Sequence, residues 1–229
     1  MSEPHKIKPV KFAVLAADTA VFTLRDGRLF IRLIAVNRPP HFANISGLPG
    51  GLIDPKETAE ESAKRHVETK AGIDAKKLYS EQLYTFSRID RDPRGRVVAV
   101  AYLALVPWEK LSRAEQQDSR TATWVPVSAV KKLAYDHNEI IALAVRRLRS
   151  RITYTTAAST FMPKEFTLTE LETAYENILD TAIDKRNFRK KISKLGILTP
   201  LLHKRIGGRF RPAQLYRFTS PRVEEIKML

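Results

Sequence analysis

Residues 57–71 contain neither glycine nor proline, and within them Ala59, Ala63, Val67 and Ala71 recur at every fourth position. Spacing of four puts these side chains on one face of an α-helix, and Gly72 supplies its left-handed stop. The run Gly47-Leu-Pro-Gly-Gly51 just ahead cannot continue that helix, so the chain must enter it from a tight turn with exposed backbone. Strand signals lie on both sides. Ala13 to Leu24 and Leu29 to Val36 are apolar and β-branched, with Asp26-Gly27 as the hairpin turn between them. Leu78 to Phe86 and Val97 to Val106 read as strands joined by a charged loop, and Trp124 to Val127 as a short last strand.

A helix beginning near Asn138 carries Ile140, Ile141, Leu143, Ala144 and Leu148 into the Thr/Ala/Ser-rich segment 153–160, where the spacing places a domain boundary. Beyond it, Thr167-Leu-Thr-Glu170 has the form of a capping box and opens a helix through Leu171, Ala174, Tyr175, Ile178 and Leu179. Asp184 caps a second helix, in which Phe188, Ile192 and Leu195 form one buried stripe before Gly196. Residues 197–202 and 214–218 can pair as strands around Gly207-Gly208. Helix, basic helix and basic-tipped hairpin is the order of a winged helix.

Charge sharpens this reading. The 229 residues carry a formal net charge of +15, an excess that attracts polyanions, with nucleic acid ahead of a membrane surface. Between Thr181 and Thr219 eleven residues are basic and only Asp184 is acidic. On the second helix Arg186, Lys190 and Ser193 point directly away from the apolar stripe, with Asn187, Arg189 and Lys194 flanking it, as a helix entering a major groove requires. Lys185, Lys191, Lys204 and Arg205 suit phosphates, and Arg209 or Arg211 suits a minor groove. An RNA-binding module is disfavoured because the aromatic residues of this half fall at core spacings. Without cysteine there is no disulfide framework or thiolate metal site, and the polar, basic residues 1–11 lack the apolar run of a signal peptide; a cytoplasmic protein is expected.

The segment Gly51-Leu-Ile-Asp-Pro-Lys-Glu57, followed by Arg65, Val67 and Gly72-Ile73, resembles the Nudix box, in which Gly, Glu and Arg-Glu-apolar-x-Glu-Glu-x-Gly-apolar stand at these spacings. The resemblance implies an α/β/α sandwich with a mixed sheet. Nudix hydrolysis uses adjacent carboxylates on the box helix to hold Mg²⁺ against a diphosphate. Those positions are His66, Thr69 and Lys70 here, so no catalytic residue and no metal ligand is expected. Glu61 and Arg65 are read as an i, i+4 pair.

Arg91-Asp-Pro-Arg-Gly-Arg96 with the strand after it, and Leu133-Ala-Tyr-Asp-His-Asn-Glu-Ile140, are similar to the ADP-ribose-type Nudix branch. Asn187-Phe-Arg-Lys-Lys191, Gly208-Arg209, Arg211-Pro-Ala and Leu215-Tyr-Arg-Phe218 are similar to the DNA-binding half of the NrtR and NadQ regulators of NAD metabolism. The fold expected is α+β: a Nudix-like ligand-sensing domain over residues 1–154 and a winged helix-turn-helix DNA-binding domain over residues 155–229. The resemblance implies a transcriptional regulator, with ADP-ribose or a related nucleotide as effector and no cofactor required. Candidate ligand-binding residues are Arg38, Gly50, Gly51, Lys70, Arg88, Arg94, Asp136 and His137, although Asp136 and Glu139 also read as a helix cap and capping box. The partners expected are double-stranded DNA, the nucleotide effector and a second copy of the chain, since one winged helix covers only a half-site; no membrane is expected. The rival is an active pyrophosphohydrolase of ADP-ribose type whose basic tail is an auxiliary anchor, and Thr69 and Lys70 separate the two.

Overall fold

The computed structural model describes residues 12–205 and 212–226. In the first half, β1 (Val14–Arg25) and β2 (Arg28–Arg38) form the expected hairpin, followed by β3 (Phe42–Gly47) and β4 (Gly50–Leu52). Helix α1 (Ala59–His66) comes next, then β5 (Tyr79–Phe86), β6 (Val97–Leu105), α2 (Arg113–Gln116), β7 (Ala122–Pro126) and α3 (His137–Tyr154). Among the described residues these strands form one sheet of order β3-β2-β1-β6-β5, with β4 added to β1 and β7 to β2. Only β1 and β6 run parallel, in register from Val14 opposite Val97 to Phe22 opposite Leu105. Residues Ala16 to Thr23 are all buried, as a central strand covered on both faces demands.

The helix expected over 57–71 is present but not uniform. Thr58 accepts from the Glu61 backbone N–H while the Glu61 carboxylate accepts from that of Thr58, so the α-helix starts at Ala59. After His66 the chain widens into a π-helical turn, Val67–Ala71, and Gly72 closes it with φ 67°. Glu61 being committed to the cap, the partner of Arg65 is Glu57 rather than Glu61: Arg65 Nε donates to Glu57 Oε2 at 2.8 Å.

Just past this turn, Glu115 staples two loops by accepting from the backbone N–H of Asp74 (2.9 Å) and of Ser112 (2.6 Å) and from Lys77 (2.5 Å). Burial pushes the Glu115 carboxyl up, but these bonds outweigh it and hold it at about 2. A depressed carboxylate contributes stability above its unfolded value that is lost as pH falls through the folded one. Melting temperature should therefore drop as pH falls from about 4.5 towards 2, and Glu115→Gln should flatten that part of the profile. An unchanged profile would assign the acid loss to other groups.

The second half runs β8 (Phe166–Thr167), α4 (Leu168–Leu179), α5 (Lys185–Leu195), β9 (Leu198–Arg205) and β10 (Ala213–Phe218), with sheet order β8-β10-β9. The predicted caps form: Thr167 and Glu170 make a reciprocal box, and Asp184 accepts from the Asn187 N–H at 2.9 Å. Phe188 and Ile192 are buried, with Phe188 edge-on to Tyr175 at 5.0 Å. One apolar core runs from Phe22, Ile31 and Leu33 of the large sheet, through Leu148 and Ile152 of α3, to Leu171, Tyr175, Ile178, Phe188 and Ile192. After β10 the chain turns back and forms a strap on the end of α3: Ile226 N–H donates to Tyr154 O (2.7 Å) and Thr156 N–H to Glu224 O (2.9 Å). Among the described residues no helix is long and apolar enough to cross a membrane.

Candidate functional site

A cleft of about 640 Å³ opens on the large sheet, and the strand register explains its position. Strands β1 and β2 pair only from Phe22 to Ile31, after which they diverge. Strand β4 takes the place beside β1 at Ala16–Asp18, and β3 the place beside β2 at Ile34–Arg38. Gly50 and Gly51 form one wall. A Cβ on Gly50 would lie 2.1 Å from Asp18 Oδ1 and 2.6 Å from Ala17 O, and one on Gly51 would lie 2.8 Å from the His66 ring and 2.9 Å from Lys70 Nζ. Only glycine lets the backbone approach these groups so closely.

The base of the cleft is a buried charge network. Arg91 Nη2 donates to Asp18 Oδ2 at 3.1 Å and to Asp136 Oδ1 at 2.7 Å, while Nε donates to Asp136 Oδ2 at 2.8 Å. His137 Nδ1 accepts from the Leu48 N–H at 2.9 Å, so the ring proton sits on Nε2, 3.7 Å from Asp18 Oδ1. Burial pushes the Asp18 carboxyl up, but His137 and Arg91 together hold it below the ordinary carboxylate range. Asp18, His137 and Arg91 line the cleft, and with them Asp92, Thr69 and Tyr135, which packs at a tilt against Phe42 with ring centres 4.4 Å apart.

Of the predicted ligand residues, Arg38, Gly50, Gly51, Lys70, Arg94 and His137 line this cleft. Arg94 does so while paired with Asp92, its Nη2 donating to Oδ2 at 2.7 Å. Two lie elsewhere. Arg88 is at the surface, paired with Glu139 at 2.7 Å and Asp90 at 2.8 Å. Asp136 is buried behind the cleft and holds Arg91; it makes no side-chain cap bond to α3, and Glu139 is turned to Arg88, so the capping box read there does not form. Asp18 and Arg91 are the residues of this network that sequence reasoning missed, and the signal for Asp18 was a carboxylate inside the stretch 14–22, whose other residues except Thr19 are apolar.

The box helix does not fit a divalent ion. His66 sits against Leu52 O at 3.2 Å, the Thr69 hydroxyl donates back to Arg65 O at 2.7 Å, and Lys70 Nζ donates to Gly50 O at 2.5 Å. Burial pushes the Lys70 ammonium down, and Arg38 adds to the effect. The neighbouring carboxylates are committed: Glu57 to Arg65, Glu60 to Lys64, Glu61 to Thr58, and Glu68 to the Ala75 N–H. Among the described residues no three His, Asp or Glu side chains are grouped to hold a metal.

The second predicted surface is on α5. Lys185, Arg186, Asn187, Lys190, Lys191, Ser193 and Lys194 are exposed, as is Lys204 on β9. Asn187 Nδ2 donates to Asp184 at 3.1 Å. Arg189 and Arg205 are engaged by α4: Arg189 Nη2 donates to the buried Glu172 at 3.0 Å, and Arg205 pairs with Glu170. The wing tip, with Gly207, Gly208, Arg209 and Arg211, lies outside the described residues.

A Nudix sandwich built on one core with a basic winged helix defines a two-module protein. Residues 15–144 match the NUDIX domain, and residues 158–218 match the NrtR DNA-binding winged helix domain. The ADPR responsive transcriptional repressor NtrR of Acinetobacter baylyi is 35% identical over 209 residues, 90% of this chain and 82% of the relative. Shewanella oneidensis NrtR complexed with a 27mer DNA superposes with a TM-score of 0.78 at 31% identity, covering 90% of this chain and 93% of that one. The NUDIX domain of the same protein complexed with ADP ribose gives 0.52 at 32% identity, covering 65% and 99%. The chain belongs to the NrtR family of Nudix-containing transcriptional regulators.

Proposed function

We propose that this chain is a cytoplasmic, homodimeric repressor of NAD-metabolism genes whose operator affinity is set by ADP-ribose in the Nudix cleft. Its units are a sensing domain over residues 1–154 and a DNA-binding domain over residues 155–229. The boundary reading is supported by the end of α3 at Tyr154 and by the limits of the two family matches. The observation that carries the proposal is the exposed cationic face of α5, which rests on the same apolar core as the cleft. Effector coupling requires ADP-ribose to bind the DNA-competent and incompetent arrangements unequally, and a shared core gives the two arrangements a physical connection. Lys70, Arg38 and Arg94 supply cations for a diphosphate, and Asp18 offers a carboxylate to sugar hydroxyls. The hydrolase reading is disfavoured by Lys70, which places a fixed positive charge where the catalytic ion would bind.

The test is fluorescence anisotropy of the full-length protein on its own upstream region, with and without ADP-ribose in EDTA. Operator affinity should change by about 5–150-fold, the usual range of allosteric coupling. In parallel, ADP-ribose in saturating Mg²⁺ should remain intact. EDTA-sensitive turnover at ordinary enzyme rates, on the order of 1 s⁻¹ or faster, would overturn the repressor as the primary role. Arg38→Ala should weaken ADP-ribose binding in calorimetry, whereas an unchanged affinity would remove Arg38 from the site.

A further inference from the structure

We propose that the cleft selects the metal-free form of a diphosphate, with the Lys70 ammonium standing in for the divalent ion, so that Mg²⁺ weakens effector binding. The inference rests on the effector reading above and adds the chemical state in which the effector is taken.

Lys70 occupies the last position of the box at which a carboxylate would face the ion, and the structure fixes its ammonium there. Its bond to Gly50 O uses one of three donors, leaving two for a ligand. The ammonium lies close to the backbone of Gly51, 2.9 Å from where a Cβ would stand. Arg38 and Arg94 share the cleft and act on Lys70 as like charges, an effect that Asp18 offsets only in part. A free diphosphate brings negative charge into this group of cations and relieves their repulsion. A diphosphate already chelated by Mg²⁺ arrives largely neutralised, with a dication directed at the ammonium. Rejecting it needs no clash of shape, because the charges alone discriminate. The box itself offers the ion no ligand beside Lys70, since Thr69 and Glu57 are turned to Arg65 and His66 to Leu52, and the two cleft carboxylates, Asp18 and Asp92, are bonded to Arg91 and Arg94. In a hydrolase of this fold the ion is required; here the same ion competes by sequestering the ligand.

Calorimetric titration of the full-length protein with ADP-ribose, in EDTA and over a Mg²⁺ series held at constant ionic strength with KCl, tests this. Binding of free ligand alone predicts an apparent Kd that rises about twofold when half the ADP-ribose is chelated and about elevenfold when ten parts in eleven are. Lys70→Gln should bind more weakly in EDTA and lose most of the Mg²⁺ sensitivity. Thr69→Glu combined with Lys70→Glu should reverse the sign, so that Mg²⁺ tightens binding. If neither variant folds, as judged by its melting curve, the wild-type series decides alone. Wild-type affinity that is unchanged or tighter in Mg²⁺ overturns the proposal and leaves the sensor reading standing. Absence of ADP-ribose binding in both solutions overturns the sensor reading and this inference with it.

Discussion

Arg91→Ala should lower the stability of the protein by about 3–5 kcal/mol, the cost of leaving buried charges without their partner. Arg91 is 3% exposed at its side chain and Asp136 1%, and the one guanidinium is bonded to both Asp136 and Asp18. Removing it strands two carboxylates in a medium where neither is adequately solvated. For a chain of this size each kcal/mol moves the melting temperature by about 2–4 °C, so a fall on the order of 10 °C is expected. Replacing all three groups together, Arg91→Met with Asp18→Asn and Asp136→Asn, should recover part of that loss, because no net charge is then buried. A single Arg91→Ala variant that melts within a degree or two of the wild type would show that the network does not support the cleft.

Operator affinity should fall on the order of 10³-fold between 50 and 200 mM salt, because cations on the scale of a dimeric winged helix release condensed counterions when they neutralise phosphates. Lys191→Ala should reduce the log-log slope by about one per phosphate contact removed and weaken all duplexes alike. Arg186, on the exposed face of α5, should behave differently. Arg186→Ala should cost about 1–3 kcal/mol at particular base pairs, the worth of a bidentate guanine contact, and little on a scrambled duplex. Equal losses on both duplexes would make Arg186 a phosphate contact. Arg189→Ala and Arg205→Ala should affect melting temperature more than the salt slope, since Glu172 and Glu170 already neutralise those side chains.

What could be read in the sequence follows the range of the interactions concerned. The caps at Thr167 and Asp184, the stop at Gly72 and the buried stripe of Phe188 and Ile192 depend on neighbours within one or two turns, and each appears in the structure. Strands β3 and β4 gave no signal because they are short and contain Gly47, Gly50 and Gly51, residues that favour turns unless tertiary contacts hold them extended. Asp136 looked like a cap from its immediate surroundings; its partner, Arg91, lies 45 residues away. Arg189 and Arg205 likewise read as free cations because the acids that hold them are 17 and 35 residues distant. The π-helical widening at Val67–Ala71, the turn that carries Lys70, has no local signature in the sequence.

The strap from β10 back to α3 has a mechanical meaning. A module attached through a single stretch of chain can swivel in any direction, but here the boundary is crossed by residues 154–156 and again, alongside and antiparallel, by residues 224–226. Two chains bonded side by side behave as a ribbon, which bends across its flat face and resists both torsion and stretching. Together with the apolar core that the two halves share, this doubled crossing ties the winged helix to α3 at two points of the chain, so that the second half cannot swivel about one bond without breaking the bridge between Thr155 and Glu225.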